Sequence, residues 1–241
     1  HAFCEMTEHN LYSLIRERLQ EDPNKVFLEG MDGRSLRYGE IDEQTGRLLT
    51  LLRDHGVAKG DRVVVQVDKS IDAVLLYLAC LRARAVYVPL NTAYTSAEVS
   101  YFLENAAPAL FVCTPAKRDE LDVVAADAGV PKVFSLGPRG EGDLMQAASA
   151  ADSSQDVVEL TGDELAAIAY TSGTTGRSKG AMLSHGNLAS NAQVLHDYWH
   201  WQRDDVLLHA LPIFHVHGLF VALHCALLRG PRVIFLSRFD T

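Results

Sequence analysis

The chain has 241 residues, 48% of them hydrophobic, and a formal net charge of −9. That is enough apolar material for one large domain or two small ones. The acidic balance excludes a nucleic-acid or anionic-membrane surface as the main partner, so any anion must be held by a local site.

In chain order, "EHNLYSLIRERLQ" places Leu11, Leu14, Ile15 and Leu19 on one helical face. Leu48, Leu49, Leu51 and Leu52 predict a second helix, ending near Gly56. A β-branched run from Val63 to Val67 predicts a strand, and Ser70 can cap the helix of Ile71, Val74, Leu75 and Leu78. "AVYVPL" predicts a strand, "SAEVSYFLENA" a helix, "ALFVC" a strand, "AKRDELDVVAADAG" a helix and "KVFSL" a strand. Residues 137–164 are polar, acidic and rich in turn formers, and read as a connection between two lobes. The rhythm then resumes: "ELAAIAYT" strand, "SHGNLASNAQVLHDYW" helix, "DVLLHAL" strand, "HGLFVALHCALL" helix, "RVIFL" strand. Strands alternating with helices predict an α/β fold with parallel sheet. The chain stops just after a strand, an abrupt end for a parallel sheet, and reads as a piece of something longer.

Cys4, Cys80, Cys113 and Cys225 are far apart and form no C-x-x-C pair; Cys80 and Cys113 lie in apolar runs. Buried free thiols in a reducing compartment, hence a cytoplasmic location, are expected. No apolar run approaches the ~18 residues of a membrane span, and the opening "HAFCEMTEHN" has no charged-then-apolar signal pattern. No membrane partner is expected.

Residues 170–182, "YTSGTTGRSKGAM", hold the densest chemistry. A strand precedes them and a helix is expected after them. Glycines let backbone N–H groups approach oxygens, and successive amides form an anion-binding nest. The hydroxyls of Thr171, Ser172, Thr174, Thr175 and Ser178 add donors, and Lys179 adds a point charge. It is not a Walker A loop, which requires G-x-x-x-x-G-K-[ST]. Here Ser178 precedes the lysine and Gly180 follows it. A plain Gly/Ser/Thr turn would not need five hydroxyls and a lysine.

"YTSGTTGRSKGAMLSHGNL" resembles the phosphate-loop signature of the adenylate-forming enzymes, the acyl-CoA synthetases, luciferases and peptide adenylation domains. "LRYGEID" with "GVAKGDRVVV", then "AVYVPLNTAYTSAEVSYFLENAAPALFVC" and "HALPIFHVHGL", resemble that family's other blocks. Within it, "VPLNTAYT", "TTGRSKGAMLSH" and "LPIFHVHGLFVA" look most like malonyl-CoA synthetases. Arg84 stands where family members usually carry glycine, and would be strained if the backbone there needs positive φ. The family's later blocks, with its ribose aspartate, hinge and C-terminal lysine, are not in this chain.

The resemblance implies the N-terminal domain of the adenylate-forming fold, truncated, with mostly parallel sheets flanked by helices. It implies a first α/β lobe over 1–150, a second beginning over 151–241 with the phosphate loop, and no C-terminal domain. It implies an acid–CoA ligase with ATP, Mg2+ and coenzyme A: malonate attacks the α-phosphorus of ATP, pyrophosphate leaves, and the thiol of coenzyme A displaces AMP. This fragment alone is expected to be inactive. Thr171, Ser172, Gly173, Thr174, Thr175, Gly176 and Lys179 would cradle the phosphates, and Arg177 would contribute to the phosphates or to an acidic substrate. His215 would border the reacting carboxylate, with His217 and Gly218 behind it. Arg238, or else Arg232, would pair with a distal carboxylate through its fork. Other readings stay open: H-x-H at 215–217 on a strand as a metal chelate, both histidines as structural, another acid substrate, or a non-catalytic nucleotide-binding module. No metal-binding cluster of protein ligands is expected.

Overall fold

The computed structural model describes residues 10–171 and 178–237. The helix α1 (Leu11–Leu19) starts where Asn10 accepts from the Tyr12 N–H. The strands β1 (Val26–Gly30) and β2 (Ser35–Arg37) follow as an antiparallel pair, which apolar patterning had not singled out. Then come α2 (Tyr38–Asp54), β3 (Arg62–Gln66), α3 (Ile71–Ala83), β4 (Val86–Pro89), α4 (Ser96–Ala106), β5 (Leu110–Cys113), α5 (Arg118–Asp127) and β6 (Val133–Ser135). The expected connection contains a helix, α6 (Asp143–Ala150), before β7 (Leu165–Thr171). The order ends with β8 (Lys179–Ser184), α7 (His185–Tyr198), β9 (Val206–His209), a π-helical turn (His217–Leu223) running into α8 (His224–Arg229), and β10 (Arg232–Phe235).

Two sheets result, ordered β2-β1-β10-β9 and β6-β5-β3-β4-β7-β8, parallel except at the β1–β2 and β7–β8 pairs. They do not divide at residue 150. The four-stranded sheet joins residues 26–37 to residues 206–235, and β7 of the second stretch pairs with β4 of the first.

The helix α3 is the central element. Its sequence, IDAVLLYLACLRA, is apolar all round, as a helix with no solvent face must be, and every residue of it is buried. Ser70 caps it by accepting from the Ala73 N–H, as expected. The charged residues it carries are matched at both ends. Asp72 takes a two-pronged pair from Arg34 (2.7 and 3.0 Å). Arg82 is fully buried and donates to the carbonyls of Asp42, Ser154 and Asp156 and to Thr45 Oγ1 at 2.7–3.1 Å. It thereby fastens the 151–158 segment to the body. On the far face of the six-stranded sheet, Val99, Phe102 and Leu103 of α4 and Leu121 of α5 pack on Val64, Val88 and Phe111. Cys80, Cys113 and Cys225 are buried free thiols, and burial raises the pKa of each; Cys4 lies outside the described residues.

Arg84 closes α3 in the left-handed region, at φ 59°, ψ 27°. The backbone there does need positive φ, and a side chain occupies it. Its guanidinium pairs with Glu164 (Nη2–Oε2 2.6 Å, Nε–Oε2 3.2 Å).

Candidate functional site

Thr171 and Lys179 face each other in register as the last pair of the antiparallel β7–β8 hairpin. The hydroxyl-rich loop therefore joins two strands, which corrects the expected strand–loop–helix context. The helix begins only at His185, so it offers no N-terminus to the loop. Ser172, Gly173, Thr174, Thr175, Gly176 and Arg177 lie outside the described residues. What surrounds them is defined. Tyr101 donates its hydroxyl to the Ser178 carbonyl at 2.9 Å, and Tyr170 donates to Asn105 at 2.6 Å, so α4 holds both sides of the hairpin's open end. Lys179 is exposed, as a residue offered to a ligand should be. A Cβ at Gly180 would meet Ile168 Cγ2 at 2.7 Å, which explains why glycine follows the lysine.

The β7 strand runs parallel to β4, so the loop opens at the carboxyl edge of the six-stranded sheet. Ligands of open α/β sheets bind outside that edge. Lys69 follows β3 at the same edge. It reaches His209, the last residue of β9 and thus the carboxyl edge of the four-stranded sheet, through Nδ1 (2.7 Å) and the carbonyl (2.8 Å). The carboxyl edges of both sheets meet at this contact. Beside it is a cleft of about 400 Å3 lined by Asp68, Lys69, Thr92, Ser237 and residues 210–214.

The candidate histidines follow Phe214, the last of the 210–214 residues lining that cleft. His215 is exposed, beside the ring of Phe214 (centroids 4.5 Å apart), and its carbonyl accepts from the Leu219 N–H. His217 is exposed and opens the π-helical turn rather than lying on a strand. Such turns recur at functional sites. Gly218 has a packing reason to be glycine: a Cβ there would stand 2.0 Å from the Pro212 carbonyl oxygen. Its own carbonyl bonds His209 Nε2 at 2.8 Å. Burial, with Lys69 adding to it, lowers the His209 pKa to about 4. The ring is therefore neutral at pH 7; Nδ1 accepts from Lys69 and Nε2–H donates to Gly218.

Arg232 sits at the start of β10, the end away from these clefts, and pairs with Glu29. It is removed as a partner for a distal carboxylate. Arg238 lies outside the described residues. Among the described residues no group of three or more metal-ligating side chains occurs, and no helix is long and apolar enough to cross a membrane. Residue patterning missed Lys69, Tyr101 and the burial of His209. A lone lysine after a strand gives no signal until its partner 140 residues away is in place.

Comparison with known proteins bears on the family and the fold. A family model described as "AMP-binding enzyme" matches residues 15–241. The solved structure of ATP-bound MatB from Rhodopseudomonas palustris superposes with a TM-score of 0.91 and 48% identity, over 96% of this chain and 46% of that one. Curated relatives include 4-coumarate–CoA ligase 5 of Oryza sativa subsp. japonica, 31% identical over 96% of this chain and 44% of its own length. Malonate–CoA ligase of Arabidopsis thaliana is 30% identical over 87% of this chain and 37% of its own length. The chain thus spans under half the length of these relatives.

Proposed function

This chain belongs to the AMP-binding enzyme family, and we propose on that premise that the whole protein is an ATP-dependent acid–CoA ligase making malonyl-CoA through an acyl-adenylate. The observation that carries the ligase reading is the hairpin. Thr171 and Lys179 are registered at the mouth of a glycine- and hydroxyl-rich loop, at the carboxyl edge of a parallel sheet. Hydrogen-bond donors at that place would suit the charge that develops on departing pyrophosphate. Lys179, Thr171 and the residues from Ser172 to Gly176 would hold the β- and γ-phosphates, with Arg177 at their edge. Magnesium would come with the nucleotide and supply further neutralisation of phosphate charge. His215 would border the reacting carboxylate, with His217 and Gly218 supporting that wall.

Malonate is supported by the three segments that resemble malonyl-CoA synthetases and by a malonate–CoA ligase among the relatives. Arg238 stays a candidate for its distal carboxylate. A site built for that charge should favour malonate over acetate or propionate, which leave a buried cation unpaired. A cytoplasmic location and coenzyme A as second substrate belong to the same proposal. So does the inactivity of the 241-residue chain alone, because it covers under half the length of its ligase relatives.

The test is pyrophosphate release by the full-length protein across a panel of acids, wild type against Lys179→Ala. Losing a charge-assisted hydrogen bond worth about 1.5–3 kcal/mol slows adenylation roughly ten- to a hundredfold, with circular dichroism unchanged. Unaltered release by the variant would remove Lys179 from the site. Preference for a long-chain or aromatic acid would remove malonate.

A further inference from the structure

Among the described residues, Lys69 has no counter-charge. An ammonium has three donors; two of them go to His209, to a neutral ring nitrogen and a carbonyl. The amine also lies over the Phe235 ring, 4.3 Å from its centroid. No described carboxylate forms an ion pair with it, and burial alone lowers its pKa, to about 7. The charged groups nearby are otherwise engaged or exposed. Arg34 is held by Asp72; Asp32 and Arg139 line a second cleft that Lys69 also borders; and Asp68, at the rim of the cleft described above, is exposed and makes no ion pair with the amine. His209 is neutral and is itself fixed by its bond to Gly218. The amine is therefore held in place by groups that cannot neutralise it. It lines the cleft with Asp68 at the rim and Thr92, Leu211, Pro212, Ile213 and Phe214, the last touching His215.

Resting on the acid–ligase reading, we propose that Lys69 is a specificity-determining residue whose ammonium pairs with the distal carboxylate of a short dicarboxylic acid in this cleft. A largely apolar wall strengthens such a pair by keeping water from it, and the two bonds to His209 remove the entropy cost of ordering a long side chain at the moment of binding. Binding raises the lysine's pKa, because an adjacent anion favours the charged form. A dicarboxylate therefore takes up a proton on binding above pH ~7, and its affinity falls as pH rises further. A residue that only staples β9 to α3 would show neither effect.

The experiment uses the full-length protein with 15N-labelled lysine, the Lys69→Met variant assigning the Lys69 resonance. The Lys69 titration is recorded alone, with malonate and with propionate, beside kcat/KM for both acids in wild type, Lys69→Met and Lys69→Arg. Malonate is expected to move the Lys69 pKa from about 7 to about 8 or above, and propionate to leave it. The malonate-over-propionate preference should fall at least about tenfold in Lys69→Met, mainly through KM, and recover in part in Lys69→Arg. A Lys69 titration indifferent to malonate, or a variant that lowers both acids alike, overturns the proposal. If no acid releases pyrophosphate, the ligase reading fails, and the titration still decides whether Lys69 binds the dicarboxylate.

Discussion

Arg84 shows two opposing terms at one residue. A non-glycine residue in the left-handed region costs about 1–2 kcal/mol, and a partly exposed ion pair returns about 0–1 kcal/mol. Arg84→Gly removes both and should leave stability within about 1 kcal/mol of wild type. Arg84→Ala keeps the strain and loses the Glu164 pair, so it should be the less stable of the two. Urea midpoints measure the difference, and an alanine variant as stable as the glycine variant would refute the account. The pair also sets a pH dependence. Arg84, first among several donors, lowers the Glu164 pKa from 4.5 to about 2. A depressed carboxylate stabilises the fold above its unfolded pKa and loses that contribution as pH falls through the folded one. The gap between wild type and Arg84→Ala should therefore narrow between pH ~4.5 and ~2. The left-handed position was legible in the sequence, because the resembling motif carries glycine there. The Glu164 partner was not, since it lies 80 residues on, in a stretch that reads only as polar loop.

Among the elements, those that patterning found are the ones buried on two faces or on one clean stripe. The helix α3 is apolar nearly throughout and the strand β3 carries an unbroken Val63–Val65 run, and no arrangement but burial suits them. The elements it missed lack that signature. The strand β8, KGAMLS, is mostly exposed and exists because β7 pairs with it; the helix α6 buries only Leu144 and Ala148 amid turn formers. For the candidate site this mattered: the loop's chemistry was readable from residue types, but its hairpin context came from pairing, which residue types do not encode. The π-helical turn belongs to this scale too. Its first turn closes under the Pro212 carbonyl, with no room for a methyl group at Gly218. Gly218→Ala must push backbone against backbone, at about 1–3 kcal/mol, and displace the carbonyl that orients His209. A lower urea midpoint together with impaired turnover is expected. A variant with wild-type stability would show that the segment yields, and that glycine there serves a ligand instead.

At the scale of the molecule, the chain order and the sheet order disagree. The four-stranded sheet is closed by bringing β1 to β10, about two hundred residues apart, with Leu28 beside Val233. Tyr38, at the start of α2, donates its hydroxyl to the Pro231 carbonyl at 2.7 Å. The other sheet needs β7 beside β4 across the segment that Arg82 holds. An independent lobe ending at residue 150 would leave β1 with β2 as its sole strand partner and would remove three of the carbonyl acceptors' bonds that satisfy buried Arg82. Arg82 would keep Asp42 and Thr45, but each buried donor left unsatisfied costs about 1–3 kcal/mol, a large share of the whole stability of a domain. Residues 1–150 expressed alone should therefore lack cooperative unfolding, bind a hydrophobic dye and show weak near-ultraviolet circular dichroism. The 241-residue chain should unfold in one transition seen alike by fluorescence and far-ultraviolet circular dichroism. A sharp, two-state transition from the shorter piece would mean that the 1–150 lobe is a folding unit in its own right, with β10 and β7 added to a core already formed. Dye binding without such a transition would mean that the two stretches fold only together, because each sheet takes strands from both.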